Sequence, residues 1–348
     1  MADVQKFVLN TLLSLPSPIL RALSGGGVVY RGGRTLDPRF QFFAHAAKKM
    51  PSMTSLPPEV GRAASAKGLA AVSGPSEPGV RTESLSIDGP GGVPLRLRAY
   101  RPIDQDSAAP LIVFAHFGGG VIGDLETCHA FCGILARIAR TAVLSVDYRL
   151  APEHRFPAGL DDTLAAYRWG RVNAARFGAA PGLAAIGGDS MGGNFAAIVA
   201  QEMQRLGEPQ PALQLLIYPA VDVASETASM ATYADAYPLS RPIMDWFMGH
   251  YMGPDADPAD PRLSPNKTAD LTGLAPAVVI TAGFDPLVDQ GEAYAKRLQA
   301  AGVPVTYRCY DSLAHGFTAF TGAVPAADAA CREVATLVRA ALEARPHK

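Results

Sequence analysis

The sequence predicts an α/β fold: a mostly parallel, eight-stranded sheet covered by helices, with a helical cap. Three observations carry this. Unbroken apolar runs recur at 111–114, 142–146, 183–186, 213–217 and 277–280, the pattern of strands buried on both faces. Segments with apolar residues at helical spacing lie between or after them, near 125–140, 158–176, 191–206, 287–301 and 326–344. Alternating runs at 84–87 and 95–100 are joined by Gly89-Pro90-Gly91-Gly92, which marks a hairpin adding antiparallel pairing at one edge. A last alternating run at 303–310 brings the strand count to eight.

The composition is compatible with one large packed domain or two smaller ones. Of 348 residues, 48% are apolar and 34 are glycine, which suits a loop-rich α/β protein. Basic and acidic side chains number 31 and 32, so no net field draws the chain toward nucleic acid or an anionic membrane. Four cysteines, Cys128, Cys132, Cys309 and Cys331, form no C-x-x-C pair, and no histidine or carboxylate cluster accompanies them. Free thiols in a reducing cytoplasm are the expectation, with no metal and no cofactor.

Residues 1–80 show helical patterning, a Gly25-Gly26-Gly27 break and a helical candidate at 59–70, with no strand alternation. They read as an N-terminal cap and linker before a unit at 81–348. The apolar stretch 7–15 is not expected to be a secretory leader, because Asp3 precedes it, Asn10 interrupts it and Pro16 and Pro18 break it. It is expected to be an amphipathic helix covering another surface. No stretch reaches the roughly 20 apolar residues of a spanning helix, so stable membrane insertion is not expected. Between two strands, residues 221–275 hold no strand but do hold an apolar, aromatic helix at 243–252. That excursion is too long for a bare connection, and its part at 221–262 reads as a second cap segment.

The chemistry concentrates at Gly188-Asp189-Ser190-Met191-Gly192, where strand, turn and helix meet at one serine. A serine on so sharp a turn needs neighbours without a Cβ, and the following helix aims its N–H groups at developing negative charge. A nucleophilic serine needs a base, and the base needs an orienting carboxylate. Asp285 follows the run ending at Ile280, and His315 follows the last strand. Ser190, Asp285 and His315 therefore occupy the carboxyl ends of three strands, where catalytic groups of open α/β sheets gather. His250, in the aromatic helix, is the rejected alternative base. Upstream, His116-Phe117-Gly118-Gly119-Gly120 follows the strand at 111–114, and glycines there let backbone N–H groups approach an oxyanion. Trp246 and Tyr251 of the aromatic helix are candidate pocket walls.

These motifs resemble the hormone-sensitive-lipase-like (bacterial family IV) carboxylesterases of the α/β-hydrolase fold. The resemblance spans roughly residues 80–345 and rests on residues 188–193, Val121-Ile122-Gly123-Asp124 and Asp147-Tyr148-Arg149-Leu150-Ala151-Pro152-Glu153. Phe156-Pro157-Ala158 with Asp161-Asp162, Asp285-Pro286-Leu287-Val288-Asp289 and His315-Gly316-Phe317 also match. It implies Ser190 as nucleophile, His315 as general base, Asp285 as its orienter and Gly118, Gly119 and Met191 as oxyanion donors, with His116 structural. The implied activity is hydrolysis of small esters through an acyl-enzyme, with a second copy of the chain as a candidate partner. The family usually reads His-Gly-Gly-Gly-Phe here, whereas this chain places Phe117 at the first glycine position and Gly120 where the ring belongs. The Phe117 ring is expected to project toward the acyl or alcohol side of the pocket and narrow it, which favours short acyl groups. Rival readings are an amidase or acyltransferase with the same residues, and a non-catalytic small-ligand receptor like the plant gibberellin receptors. That receptor class lacks the histidine that His315 supplies. Haloalkane or epoxide chemistry would need an aspartate in place of Ser190.

Overall fold

The computed structural model describes residue 9 and residues 11–345. Part of the expected helix at 7–15 therefore lies outside the described residues, although Leu13 is buried beside Phe40 and Phe43. Helices α1 (Ser17–Leu23), α2 (Pro38–Ala47) and α3 (Pro58–Val72) lie in the first segment. Against the expectation of no strand there, β1 (Tyr30–Arg31) and β2 (Arg34–Thr35) pair antiparallel. Two residues per strand are too few to show a periodicity, so the pairing is set by the Gly32-Gly33 turn, both glycines at positive φ.

The main sheet follows the sequence pattern. Its strands are β3 (Val80–Asp88), β4 (Pro94–Pro102), β5 (Leu111–Ala115), β6 (Val143–Asp147), β7 (Ala184–Asp189), β8 (Gln214–Ile217), β9 (Ala277–Phe284) and β10 (Val305–Ala314). Their order across the sheet is β10-β9-β8-β7-β5-β6-β4-β3. β3 and β4 form the antiparallel hairpin, β4 pairs antiparallel with β6, and every other neighbour pair is parallel. Between them run α4 (His129–Ala139), α5 (Ala158–Val172), α6 (Met191–Arg205), α9 (Val288–Ala300) and the closing α10 (Pro325–Glu343). β7 and β9 are buried at every residue, because helices cover both faces.

The order places the site. The chain goes from β5 to β6 on one side and then crosses back over β5 to β7 on the other. The adjacent carboxyl ends of β5 and β7 thus open a crevice at a reversal of strand order, where ligands of open α/β sheets bind. The excursion after β8 contains α7 (Ala228–Thr232) and α8 (Arg241–Tyr251) and lies over that crevice. The first segment closes the other side: Phe40 and Phe43 pack on Phe320 with ring centroids 4.9 and 5.4 Å apart. Among the described residues no helix is long and apolar enough to cross a membrane.

One side chain ties α3 to the crevice. The Arg62 guanidinium donates to the carbonyls of Val121 (2.7 Å) and Ala151 (2.6 Å) and forks onto Glu153. Two of these acceptors are main-chain groups that water reaches poorly once the helix is docked. Arg62→Ala is expected to cost about 2 kcal/mol, the range for hydrogen bonds from a charged donor. It should also speed limited proteolysis of the first 75 or so residues ahead of global unfolding. Equal cleavage rates for variant and wild type would show that α3 is held by packing alone.

Candidate active site

The turn between β7 and α6 is strained and crowded. Ser190 has φ +55° and ψ −115°, a conformation costly for any residue with a Cβ. It is held by Ser190 N–H donating to Ile217 C=O at 2.9 Å, while its own carbonyl accepts from Asn194 and Ala220 N–H. Crowding explains the glycines. A Cβ on Gly188 would lie 2.7 Å from the Ala115 carbonyl oxygen and inside the Gly192 backbone, and one on Gly192 would meet the same carbonyl. The Ser190 side chain makes no capping bond to α6 and is free for other work.

That work is visible in the contacts. Ser190 Oγ lies 2.9 Å from His315 Nε2, and His315 Nδ1 lies 2.7 Å from Asp285 Oδ2. Asp285 is fully buried and its other oxygen accepts the Leu287 N–H at 2.8 Å, which fixes the carboxylate toward the imidazole. The three residues, separated by 95 and 30 positions in the chain, meet because the parallel strands β7, β9 and β10 all end on the same side of the sheet, with only β8 between β7 and β9. His250 does not join them; it packs on Trp246 with centroids 4.6 Å apart.

The glycine loop after β5 lies against this chain of groups. Gly118, Gly119 and Gly120 have φ of +130°, +62° and +73°, and the Gly118 carbonyl accepts from Val121 and Ile122 N–H at 3.0 Å. His116 is fully buried, its ring stacked on Tyr148 at 4.2 Å with Nδ1 donating to Phe117 C=O at 2.7 Å. Burial pushes its pKa below the usual imidazole value, so the ring stays neutral inside the loop.

Two cavities meet at Ser190, Gly119, Leu239 and Phe247. The larger, about 1370 Å³ with its open mouth, is apolar and includes Phe117, Ile122, Leu69, Phe320 and His315 in its wall. The smaller, about 650 Å³, is lined by Met191 and Met230 and also by Glu226, Arg241 and Asp245. Arg241 bridges both carboxylates, at 2.7 and 2.8 Å.

The pocket expectations need one correction. Phe117 lines the larger cavity, but Trp246 and Tyr251 line neither; Phe247 lines both. Helical geometry explains the shift. Residues 247 and 251 are four apart and share one face of α8, which presses on the glycine loop, whereas Trp246 turns toward Gly61 of α3. A Cβ on Gly120 would lie 2.5 Å from the Tyr251 ring, so Tyr251 occupies the space that a side chain at position 120 would need. Phe247 sits against Gly119 in the same way. The i, i+4 spacing within 243–252 was the signal that could have selected Phe247.

Sequence reasoning passed over the surroundings of Asp189. This carboxylate is fully buried and accepts from Tyr218 Oη at 2.9 Å and Thr318 Oγ1 at 2.7 Å, with Cys128 Sγ at 3.5 Å. Desolvation raises its pKa to about 6 even though these donors and the nearby His315 pull it down.

The chain is similar to known ester hydrolases. The family described as having the alpha/beta hydrolase fold matches residues 112–319. The chain is 44% identical over 313 residues to the carboxylic ester hydrolase LipN of Mycobacterium tuberculosis, covering 87% of this chain and 82% of that one. It is 34% identical over 286 residues to an ethyl acetate hydrolase of Pseudomonas putida, covering 81% and 90%. Among solved structures, the ester hydrolase EH1AB1 from the metagenome of Lake Arreo superposes with a TM-score of 0.84 at 41% identity, covering 88% and 98%.

The crowding at the elbow generates a stability prediction. Gly188→Ala forces a methyl group against two backbones that cannot rotate away, so it should lower stability by about 3 kcal/mol or more. Thermal unfolding followed by circular dichroism would check this, and an unchanged Tm would show that the turn has slack.

Proposed function

The chain belongs to the hormone-sensitive-lipase-like (bacterial family IV) carboxylesterases of the α/β-hydrolase fold, serine ester hydrolases; from that premise we propose that Ser190, His315 and Asp285 form its catalytic triad. The observation that carries this is the continuous line of contacts from Asp285 through His315 to Ser190 Oγ at the junction of two cavities. Ser190 Oγ attacks the ester carbonyl carbon while His315 Nε2 takes its proton. The oxyanion is held by the N–H groups of Gly118, Gly119 and Met191. Collapse of the tetrahedral intermediate expels the alcohol, which leaves with the proton from Nε2. Water then attacks the acyl-enzyme with His315 again as base, and the acid departs.

The proton route assigns the cavities. The leaving oxygen must sit beside Nε2, and His315 borders only the larger cavity. The alcohol portion therefore occupies the large apolar cavity, and the acyl group enters the smaller one past Met191. Each methylene buried there gains about 0.8 kcal/mol, until the chain meets Arg241 and its two carboxylates. The proposed substrates are short-acyl esters of apolar alcohols. Phe117 then narrows the alcohol side, not the acyl side.

Ser190→Ala should lower turnover of p-nitrophenyl butyrate by about 10³-fold or more with the fold intact. Asp285→Asn should depress kcat strongly, and His315→Ala far more than His250→Ala; the opposite ranking of the two histidines would overturn the assignment of the base. For chain length, kcat/KM should peak at acyl groups short enough to stop before Arg241. Phe117→Ala should raise kcat/KM for bulky alcohol esters while leaving the acyl optimum in place. An acyl optimum that moved with Phe117 would reverse the cavity assignment.

A further inference from the structure

The catalytic line leaves one buried carboxylate without a role. Asp189 immediately precedes Ser190 at the end of β7, yet its side chain turns away from the serine into a closed polar cluster. Tyr218 Oη, Thr318 Oγ1 and Asp189 Oδ2 form a triangle with edges of 2.9, 2.7 and 2.5 Å. Both hydroxyl residues are tied to His315. The Tyr218 ring packs on the imidazole with centroids 4.7 Å apart, and Thr318 follows His315 by three positions in the same turn. Tyr218 itself is held at φ +34°, its N–H donating to Ile280 C=O at 2.6 Å. A residue kept at an unfavourable angle, with its hydroxyl anchored to a buried acid, makes a rigid wall behind the histidine.

We propose that Asp189 is a positioning residue for His315: its negative charge fixes Tyr218 and Thr318 against the imidazole and favours the imidazolium that forms during both acyl transfers. The inference rests on Ser190 and His315 acting as described above.

The charges around Asp189 fit this role. The titratable groups facing it are Cys128 and Cys132, Tyr148, Tyr218, His315 and Cys331. Burial pushes every one of those thiols and phenols upward, so they stay neutral across the working pH range. His315 is thus the group of this set that can carry a positive charge, and its attraction favours the ionised form of Asp189. With Asp189 ionised, both hydroxyls donate to a charged acceptor, which holds Tyr218 and Thr318 firmly; protonation removes that charge and weakens both bonds. With the carboxyl titrating near 6, the sign is fixed: the active form is the ionised one and is lost as pH falls.

The test compares the wild type with Asp189→Asn, which keeps the shape and removes the charge. With p-nitrophenyl butyrate, log(kcat/KM) for the wild type should fall at low pH with a limiting slope of 2, one proton for His315 and one for Asp189. For Asp189→Asn the slope should be 1, and kcat on the alkaline plateau should drop about tenfold with KM unchanged. Ser190 of the variant should still label stoichiometrically with a serine-directed phosphonate. Unchanged slope and kcat would overturn the proposal. Wild-type protein that failed to label at Ser190 would instead overturn the nucleophile beneath it. Should Asp189→Asn not fold, Tyr218→Phe decides: it keeps the ring on His315 but removes one donor to the acid. The ionisation assigned to Asp189 should then move to higher pH, and a profile identical to wild type would refute the role.

Discussion

The site depends on a close approach of two backbones, the end of β5 against the elbow after β7. Ala115 lies opposite Gly188 in the parallel register, and its carbonyl oxygen occupies the space that side chains on Gly188 and Gly192 would need. Because those positions carry no Cβ, the turn can be sharp enough to hold Ser190 at φ +55° with its side chain free of the helix it begins. The same approach brings the glycine loop after β5 within reach of whatever Ser190 binds. A single residue with a Cβ at either glycine would separate Ser190 and the loop.

The loop itself is shaped from outside the sheet. Its three successive positive φ angles give it little preference for one path. Tyr251 and Phe247 from α8 press on Gly120 and Gly119, His116 fills its interior, and Arg62 of α3 holds the Val121 carbonyl. The displaced phenylalanine is thereby accommodated. Position 120 carries no ring, and a tyrosine from a different element, 131 residues further on, occupies the space one would need. Phe117 is released to line the cavity beside His315.

Buried charge is the second organising feature. Asp285 and Asp189 approach the same histidine region from two strand ends, both fully removed from water, and each is matched by donors. Isolated carboxylates would be too costly in such an interior. Asp285 is compensated by the imidazole and a backbone N–H, Asp189 by two hydroxyls and a thiol. The helices that complete the surroundings, α4 and α10, supply apolar packing and neutral thiols, so little else screens these charges.

The chain alone determined what is written in local pattern. Eight runs of apolar or alternating residues became eight strands because period and composition act over a few residues, and the order of serine, aspartate and histidine put each at a strand end. Glycine spacing at 188 and 192 announced the elbow for the same reason. Only the tertiary structure decided which side chains from distant elements share a wall. Trp246 and Tyr251 were legible as aromatic but not as outward or inward facing, since the rotation of α8 is set by contacts with the glycine loop and α3. The partners of Asp189 lie 29 and 129 positions away, and no local rule links a tyrosine after β8 to a threonine after β10. The ring at position 120 was absent from its own segment, and its replacement could be found only where the two surfaces meet, because packing conserves volume and not sequence position.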